Sequence, residues 1–259
     1  MTVIDDFAAR LDEAARTRTP CAQLSAERDI SLEDAYAVQR ALVELRLGRG
    51  ERDFGVKLGF TSRAKAVQMG VDDVIVGRLT SGMVFADGDE LDLAAFVHPR
   101  AEPEVAFRLG RDIAEGEIPG TEAVEAVAPA IEVIDSRYRD FRFSLADVVA
   151  DNTSAAAVVL GPWRRLDADL GNRGVLLEVD GRLAGAGSTA AILGDPLRAL
   201  TAAARMAHQH GIPLPAGTVL LAGAATAAVA LQAGTQVCAT VSGLGRARFS
   251  VTDQGGSDD

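Results

Sequence analysis

Apolar positions in the first fifty residues recur at helical spacing. Ile4, Phe7, Ala8 and Leu11 share one face of a predicted first helix, and a second is predicted in "SLEDAYAVQRALVELRLGRG". Ser31 is placed to cap the second helix, with Asp34 three residues on, and Gly48 and Gly50 are placed to end it. From Phe54 onward the pattern shortens to apolar runs broken by glycines and turn residues: "FGVKLGF", "GMVF", "AEPEVAFRL", "PAIEVID", "AAAVVLG", "GVLLEVDG", "GTVLLAG", "TQVCATVSGLG" and "ARFSV". These read as strands. Helices are predicted among them at "TSRAKAVQMG", near "TEAVEAV" and through "DPLRALTAAARMAHQHG", the last with Asp195 as cap, Pro196 at the first position and Gly211 as stop. Strands and helices do not alternate as in a doubly wound sheet, so the pattern predicts an α+β fold with a mixed sheet. The organisation expected is an N-terminal helical segment over 1–53, a mixed-sheet body over 54–252 and a disordered acidic tail over 253–259.

Composition narrows the functional classes. The chain has 259 residues, 48% hydrophobic and 24% charged, which is enough for one large core. A net charge of −11 argues against nucleic acid, whose phosphates require a basic face. The densest basic stretch, "RYRDFR", has Asp135 and Asp140 beside or within it and reads as a solvated or ion-paired surface. No apolar run approaches the roughly 20 residues of a membrane helix, and the N-terminus carries acids where a signal peptide carries bases. A cytoplasmic protein with no membrane partner is expected. Cys21 and Cys238 lie far apart, without metal or disulfide spacing, and read as ordinary thiols.

The chemistry starts from "HPRAEPEVAF". In a strand, Glu102 and Glu104 point to the same face about 6.5 to 7 Å apart, close enough to grip one cation. Pro103 fits the alternative, a solvent-facing edge strand, because proline removes a ladder donor. Glu132 alters the balance: Ile131, Val133 and Ile134 crowd it, and an ionised carboxylate there is expensive unless paired or coordinated. Three carboxylates without a Cys or His cluster form a hard, all-oxygen donor set suited to Mg²⁺ or Mn²⁺, with coordination positions left for a chelating 2-oxo acid. His98 is a further candidate ligand, or a local structural group at a strand entrance; His208 and His210 sit at a helix end, where the dipole accounts for them. Lys57 alternates with Val56 and Leu58, between Gly55 and Gly59; it reads either as a proton-transfer group or as a surface lysine on a half-exposed strand. "VVADNTS" places Asn152 and Ser154 in a turn or in a polar wall for a carboxylate or water.

Taken together, "GVKLGFTSRAK", "HPRAEPEVAF", "APAIEVIDSRYRDF", "VVADNTS" and "LLAGAAT" resemble the 2-keto-4-pentenoate hydratase and 4-oxalocrotonate decarboxylase family of meta-cleavage pathways, within the fumarylacetoacetate hydrolase superfamily. The resemblance implies a mixed β-roll body of the fumarylacetoacetate hydrolase C-terminal type with an N-terminal helical part, a Mg²⁺ or Mn²⁺ ion, a homo-oligomer, and an association with a paired hydratase. Glu102, Glu104 and Glu132 fall on the family's metal ligands, Lys57 on its active-site lysine and Ser154 on a serine that holds substrate. Asn152 is taken as a second substrate-binding group beside Ser154; Arg78, from its place in the chain beside Val74–Gly77, reads either as the cation that senses a second substrate carboxylate or as a solvent-facing arginine. Hydratases of the family often carry a Pro-Asp-Phe-Gly run before the leucine that is Leu79 here, with an Asp that assists proton transfer. This chain has Val74, Ile75, Val76 and Gly77 instead, so the acid is missing. "GRLTSGM" and "SRYRDFRFSLADVVADNTS" resemble the decarboxylase subgroup, although decarboxylases commonly carry an aromatic where Val76 stands. The resemblance therefore implies a carboxy-lyase acting on (3E)-2-oxohex-3-enedioate, with hydration of 2-hydroxypenta-2,4-dienoate as the alternative. A carbon–carbon hydrolase lacks its catalytic histidine here, and a non-catalytic partner subunit would not need all three glutamates.

Overall fold

The computed structural model of the chain describes residues 2–62, 67, 73–167 and 169–253. Most of the helix predicted over "TSRAKAVQMG" and nearly all of the acidic tail lie outside these residues.

Two helices open the chain. In α1 (Val3–Thr17) Thr2 and Asp5 form a reciprocal capping box, and Phe7, Ala8 and Leu11 turn inward. In α2 (Leu32–Gly48) the Ser31 hydroxyl accepts from the Asp34 N–H at 3.0 Å, a cap that stabilises by about 1 kcal/mol. Gly50 takes φ +97° just beyond the helix end. The helices do not pack as a separate unit: Phe7, Leu11 and Leu42 share one apolar cluster with Val56, Val76 and Phe107 of the sheet.

The sheet body has two layers. The larger joins β1 (Asp53–Gly59), β2 (Ile75–Thr80), β3 (Val84–Ala86), β5 (Arg100–Leu109), β6 (Val124–Ile134), β7 (Ala155–Leu160) and β10 (Val219–Ala224) in the order β2-β1-β10-β5-β6-β7-β3, with β11 (Val229–Ala230) also pairing β5. The smaller joins β4 (Glu90–Asp92), β8 (Gly174–Val179), β9 (Arg182–Ser188), β12 (Gln236–Val241) and β13 (Gly245–Thr252) in the order β4-β13-β12-β8-β9. Both are mixed: β1 runs parallel to β10 and β13 parallel to β4, while β5 and β6 are antiparallel. Ile131, Val133, Val159, Leu177 and Phe249 form a second apolar cluster drawn from both layers. Helix α3 (Leu145–Ala150) precedes β7, and α4 (Arg198–Gln209) precedes β10. Among the described residues no helix is long and apolar enough to cross a membrane.

Three local expectations are corrected. "TEAVEAV" forms a single 3₁₀ turn, Thr121–Ala123, and then enters β6. The long antiparallel pairing with β5 outweighs the helical preference of its Ala and Glu residues, and Val124 and Val127 suit a strand. Helix α4 begins at Arg198 rather than at Pro196, because the Asp195 carboxylate accepts from Leu197 N and closes a local turn first. The edge-strand alternative for Pro103 fails as well: β5 is interior, flanked by β10 and β6. Proline is tolerated there because the β10 register shifts between Leu221 and Ala224, and the Pro103 carbonyl accepts from Ala225 N at 3.0 Å.

Candidate metal and substrate site

The β5–β6 register decides the site. Glu102 lies opposite Glu132, and Glu104 follows two residues along the same face of β5. On the other side of β10, Lys57 aligns with Leu221, which aligns with Ala106 of β5, so Lys57 shares that face. Strand pairing alone therefore gathers three acids and one base on an otherwise aliphatic surface formed by Leu79, Ala106, Ala130, Val158 and Leu221.

One ligand oxygen from each of Glu102, Glu104 and Glu132 lies within 4.8 Å of the other two. The residues are 4%, 1% and 0% exposed, and Lys57 is 3% exposed. The Lys57 ammonium donates to the Thr153 carbonyl at 3.1 Å and forms an ion pair with Glu132 Oε2 at 3.0 Å. Glu104 Oε2 accepts from Gly223 N at 2.8 Å. Glu104 Oε1 and both Glu132 oxygens find no hydrogen-bond partner among the described residues. Buried carboxylate oxygens are seldom left so, since each carries a desolvation penalty. Burial, and then the Glu132 charge, holds the Glu104 carboxyl well above its usual range. Burial by itself would lower the Lys57 pKa, but the three glutamates override it and hold it raised. Three acids against one ammonium leave two negative charges when ionised, which one divalent cation would offset. The orphaned oxygens, the convergence and the hard donor set all fit such an ion.

Above the glutamates opens a cavity of about 630 Å³. Lys57, Glu102, Thr153 and Ser154 reach it, against an apolar wall that includes Ile75, Ile134, Phe143 and Val148. The Ser154 hydroxyl and the Thr153 hydroxyl are buried and find no hydrogen-bond partner among the described residues. The turn that presents them is strained: Asn152, Thr153 and Ser154 take φ of 49°, 55° and 58° in succession, a left-handed run of non-glycine residues. Such residues cost about 1 kcal/mol or more each and persist where surrounding bonds over-determine them. Here the Asn152 amide does so, donating to the Arg78 carbonyl and accepting from the Arg78 N–H, each at 2.8 Å.

The family described as fumarylacetoacetate (FAA) hydrolase C-terminal matches residues 54–252. The chain belongs to this family. Within it, the chain is 51% identical over 254 residues to a 4-oxalocrotonate decarboxylase of a Pseudomonas species, covering 97% of this chain and 99% of that protein. It is 39% identical over 258 residues to a 2-keto-4-pentenoate hydratase of Burkholderia vietnamiensis (strain G4 / LMG 22486), covering 96% and 98%. Among solved structures, the 4-oxalocrotonate decarboxylase of Pseudomonas putida G7 complexed with magnesium and adipate superposes with a TM-score of 0.91 at 31% identity, covering 96% of this chain and 97% of that one.

Not every residue selected from the sequence reaches the cavity. Arg78 lies opposite Val56 on β2, whereas Gly77 lies opposite Lys57, so Arg78 sits on the other face. There its guanidinium pairs with Asp53 at 2.5 Å and approaches Glu44 at 3.8 Å. Asn152 spends both ends of its amide on β2 and supports the turn rather than lining the cavity. His98 does not converge with the glutamates; its backbone N–H donates to Asp135 at 2.8 Å, and its ring packs against Phe141. Two contributors went unread. The Thr153 carbonyl and the Gly223 N–H are backbone groups, and the signal for Gly223 is only its identity: at φ +113° an added Cβ would meet Thr61 Oγ1 at 2.0 Å.

Proposed function

We infer that the chain is a carboxy-lyase that converts a 2-oxo-enedioate such as (3E)-2-oxohex-3-enedioate into 2-hydroxypenta-2,4-dienoate and CO₂, with Glu102, Glu104 and Glu132 holding Mg²⁺ or Mn²⁺. When bound, the ion supplies Lewis acidity toward a keto acid. The protein's own part is to bind, orient and protonate. Ser154 Oγ offers an unspent donor to the substrate's carboxylate at C1, and the strained turn fixes its position. The bond from C5 to C6 breaks, CO₂ departs, and the electron pair moves through the conjugated chain to the C2 oxygen. Lys57 Nζ faces the glutamates and delivers the proton that makes this oxygen the enol hydroxyl. Ile75, Ile134, Phe143 and Val148 keep water from the electron-rich chain.

The observation that carries decarboxylation over hydration is the lining of the cavity. Among the described residues the only carboxylate that reaches it is Glu102, and β2 presents Ile75 where a hydratase needs an acid to handle water. Hydration is the second reading, favoured by the 39% identity to a hydratase. The reading takes residues 54–252 as the catalytic body, supported by the helices of 1–53, in a self-associating cytoplasmic enzyme. Its product is an enol that ketonises in water, which favours association with a hydratase able to consume it. Incubation of the Mg²⁺-loaded protein with each 2-oxo acid tests the reaction. Release of CO₂ from the enedioate is expected; a hydrated product from 2-hydroxypenta-2,4-dienoate without CO₂ release would replace this reading by the second.

A further inference from the structure

Arg100 is a cation of the cavity to which the proposed reaction gives no role. It opens β5, and the next positions on its face are Glu102 and Glu104. Its register partner on β6 is Ile134, just as Glu102 faces Glu132, and both Arg100 and Ile134 line the cavity. No carboxylate among the described residues forms an ion pair with Arg100. Arg78 and Arg137, the two buried arginines among the described residues, are by contrast each paired with an aspartate. The Arg100 guanidinium lies over the Phe141 ring, its Cζ 4.3 Å from the centroid.

That ring is deliberately placed. Asp140 and Phe141 take φ of 58° and 56°, two consecutive left-handed non-glycine residues, and the turn they form sets Phe141 beneath Arg100 with the Phe143 ring 5.8 Å away. An aromatic face under a guanidinium restricts its rotation and leaves its N–H edge open to a planar anion. The spacing also fits a particular ligand. Two strand residues separate Arg100 from Glu102 by about 7 Å. Five carbon–carbon bonds of about 1.5 Å, from C1 to C6 of a dioate, span about 6 Å when extended.

We propose that Arg100 receives the remote carboxylate of a six-carbon 2-oxo dioate while the opposite end lies at the glutamates, so that Arg100 selects doubly charged substrates of that length. This rests on the reading above, in which the remote carboxylate is the one lost. CO₂ is neutral, so the ion pair with Arg100 weakens as the bond breaks. It contributes to binding and not to the chemical step. Removing it raises KM and leaves kcat undiminished, whereas a merely structural arginine would lower kcat and thermal stability together.

The test is calorimetric titration of the Mg²⁺-loaded protein with 2-oxohexanedioate and with 2-oxohexanoate, which share a head group and differ only in the remote carboxylate. The wild type binds the dioate about tenfold or more tighter, the scale of a hydrogen bond to a charged group. Arg100→Met binds both at the affinity the wild type shows for the monoacid, and Arg100→Lys retains part of the preference. A preference that survives in Arg100→Met, or none in the wild type, overturns the assignment. The unchanged monoacid affinity reports that the variant is folded. The two proposals fail separately: a wild type that releases no CO₂ but loses its dioate preference in Arg100→Met keeps the subsite and discards the decarboxylation. Release of CO₂ with the preference intact in Arg100→Met does the reverse.

Discussion

Two polar clusters are buried within this fold, and they are built on opposite terms. In one, Arg137 Nε and its backbone N–H both donate to the Asp151 carboxylate, and its remaining nitrogens reach the carbonyls of Asp135, Asp151 and Ala155. Asp135 accepts from the N–H groups of Val97 and His98. No side-chain atom of these three residues is left without a partner among the described residues. In the other, Glu104, Glu132 and Lys57 are as deeply buried, yet Glu104 Oε1, Glu132 Oε1 and two neighbouring hydroxyls find no partner among them, and Glu132 Oε2 has only the Lys57 ammonium. A closed network of this kind locks a turn in place. An open one costs free energy in the isolated chain and is retained where something from outside completes it. The two meet at residues 151–154, where the closed network holds the strained turn that presents Thr153 and Ser154 to the open one.

The largest effect comes from breaking the open cluster. Glu104→Gln or Glu132→Gln removes a charge the cluster uses only toward a cation, and Mg²⁺-dependent turnover is expected to be abolished while the folded signal persists. Calorimetry with Mg²⁺ alone is expected to show no saturable binding, and turnover retained in metal-free buffer would remove the ion from the account. Lys57→Ala comes next, with a loss of about 10²- to 10⁴-fold in kcat, the range of a positioned proton donor, and a modest change in Mg²⁺ affinity. Wild-type kinetics would exclude Lys57 as the donor.

The closed cluster responds in stability. Arg137→Met leaves the Asp151 carboxylate buried without its partner, and breaking a buried pair this way costs about 3–5 kcal/mol. Denaturant unfolding measures it through a lower midpoint at unchanged slope. Replacing both partners by apolar residues is expected to recover only part of that loss, because the carbonyls of Asp135, Asp151 and Ala155 and the Arg137 backbone N–H lose their side-chain partners as well. The corresponding double change of Lys57 and Glu132 is expected to recover stability too, but no turnover. This asymmetry separates a lock from a reactive site.

What was legible from the chain follows the same division. Glu102 and Glu104 were readable from strand periodicity and Glu132 from the apolar run around it, because an acid among Ile131, Val133 and Ile134 contradicts its neighbours. Convergence was not readable, since it depends on the pairing of Glu102 with Glu132 and on β10 lying between β1 and β5. Arg78 shows the limit most clearly. Its place near the missing acid was visible, but its face follows from the β1–β2 register, and a shift of one residue would exchange it with Gly77. Asn152 was legible as a turn residue, whereas the turn's left-handed run is imposed by its bonds to Arg78 and by the closed network beneath it. The helices were the easiest to read, because caps and a single apolar face are local; "TEAVEAV" failed where a long-range strand partner prevailed.

The finest test lies where the two clusters touch. Ser154 is 4% exposed and its hydroxyl has no partner among the described residues, so truncation to alanine removes an unsatisfied group and leaves only a small void. Within a closed network, losing a buried hydroxyl that is hydrogen-bonded costs about 1 kcal/mol; at Ser154 that cost is absent, and the melting temperature of Ser154→Ala is expected to be unchanged or slightly raised. The hydroxyl is satisfied only when substrate arrives, so its loss falls on kcat/KM, by about tenfold for one hydrogen bond to a charged group. Stability and turnover thus move independently at this position, whereas at Arg137, three residues beyond the end of β6, stability falls first. A Ser154→Ala protein that melts well below the wild type and turns over normally would place Ser154 in the closed network and reduce the open cluster to the glutamates and Lys57.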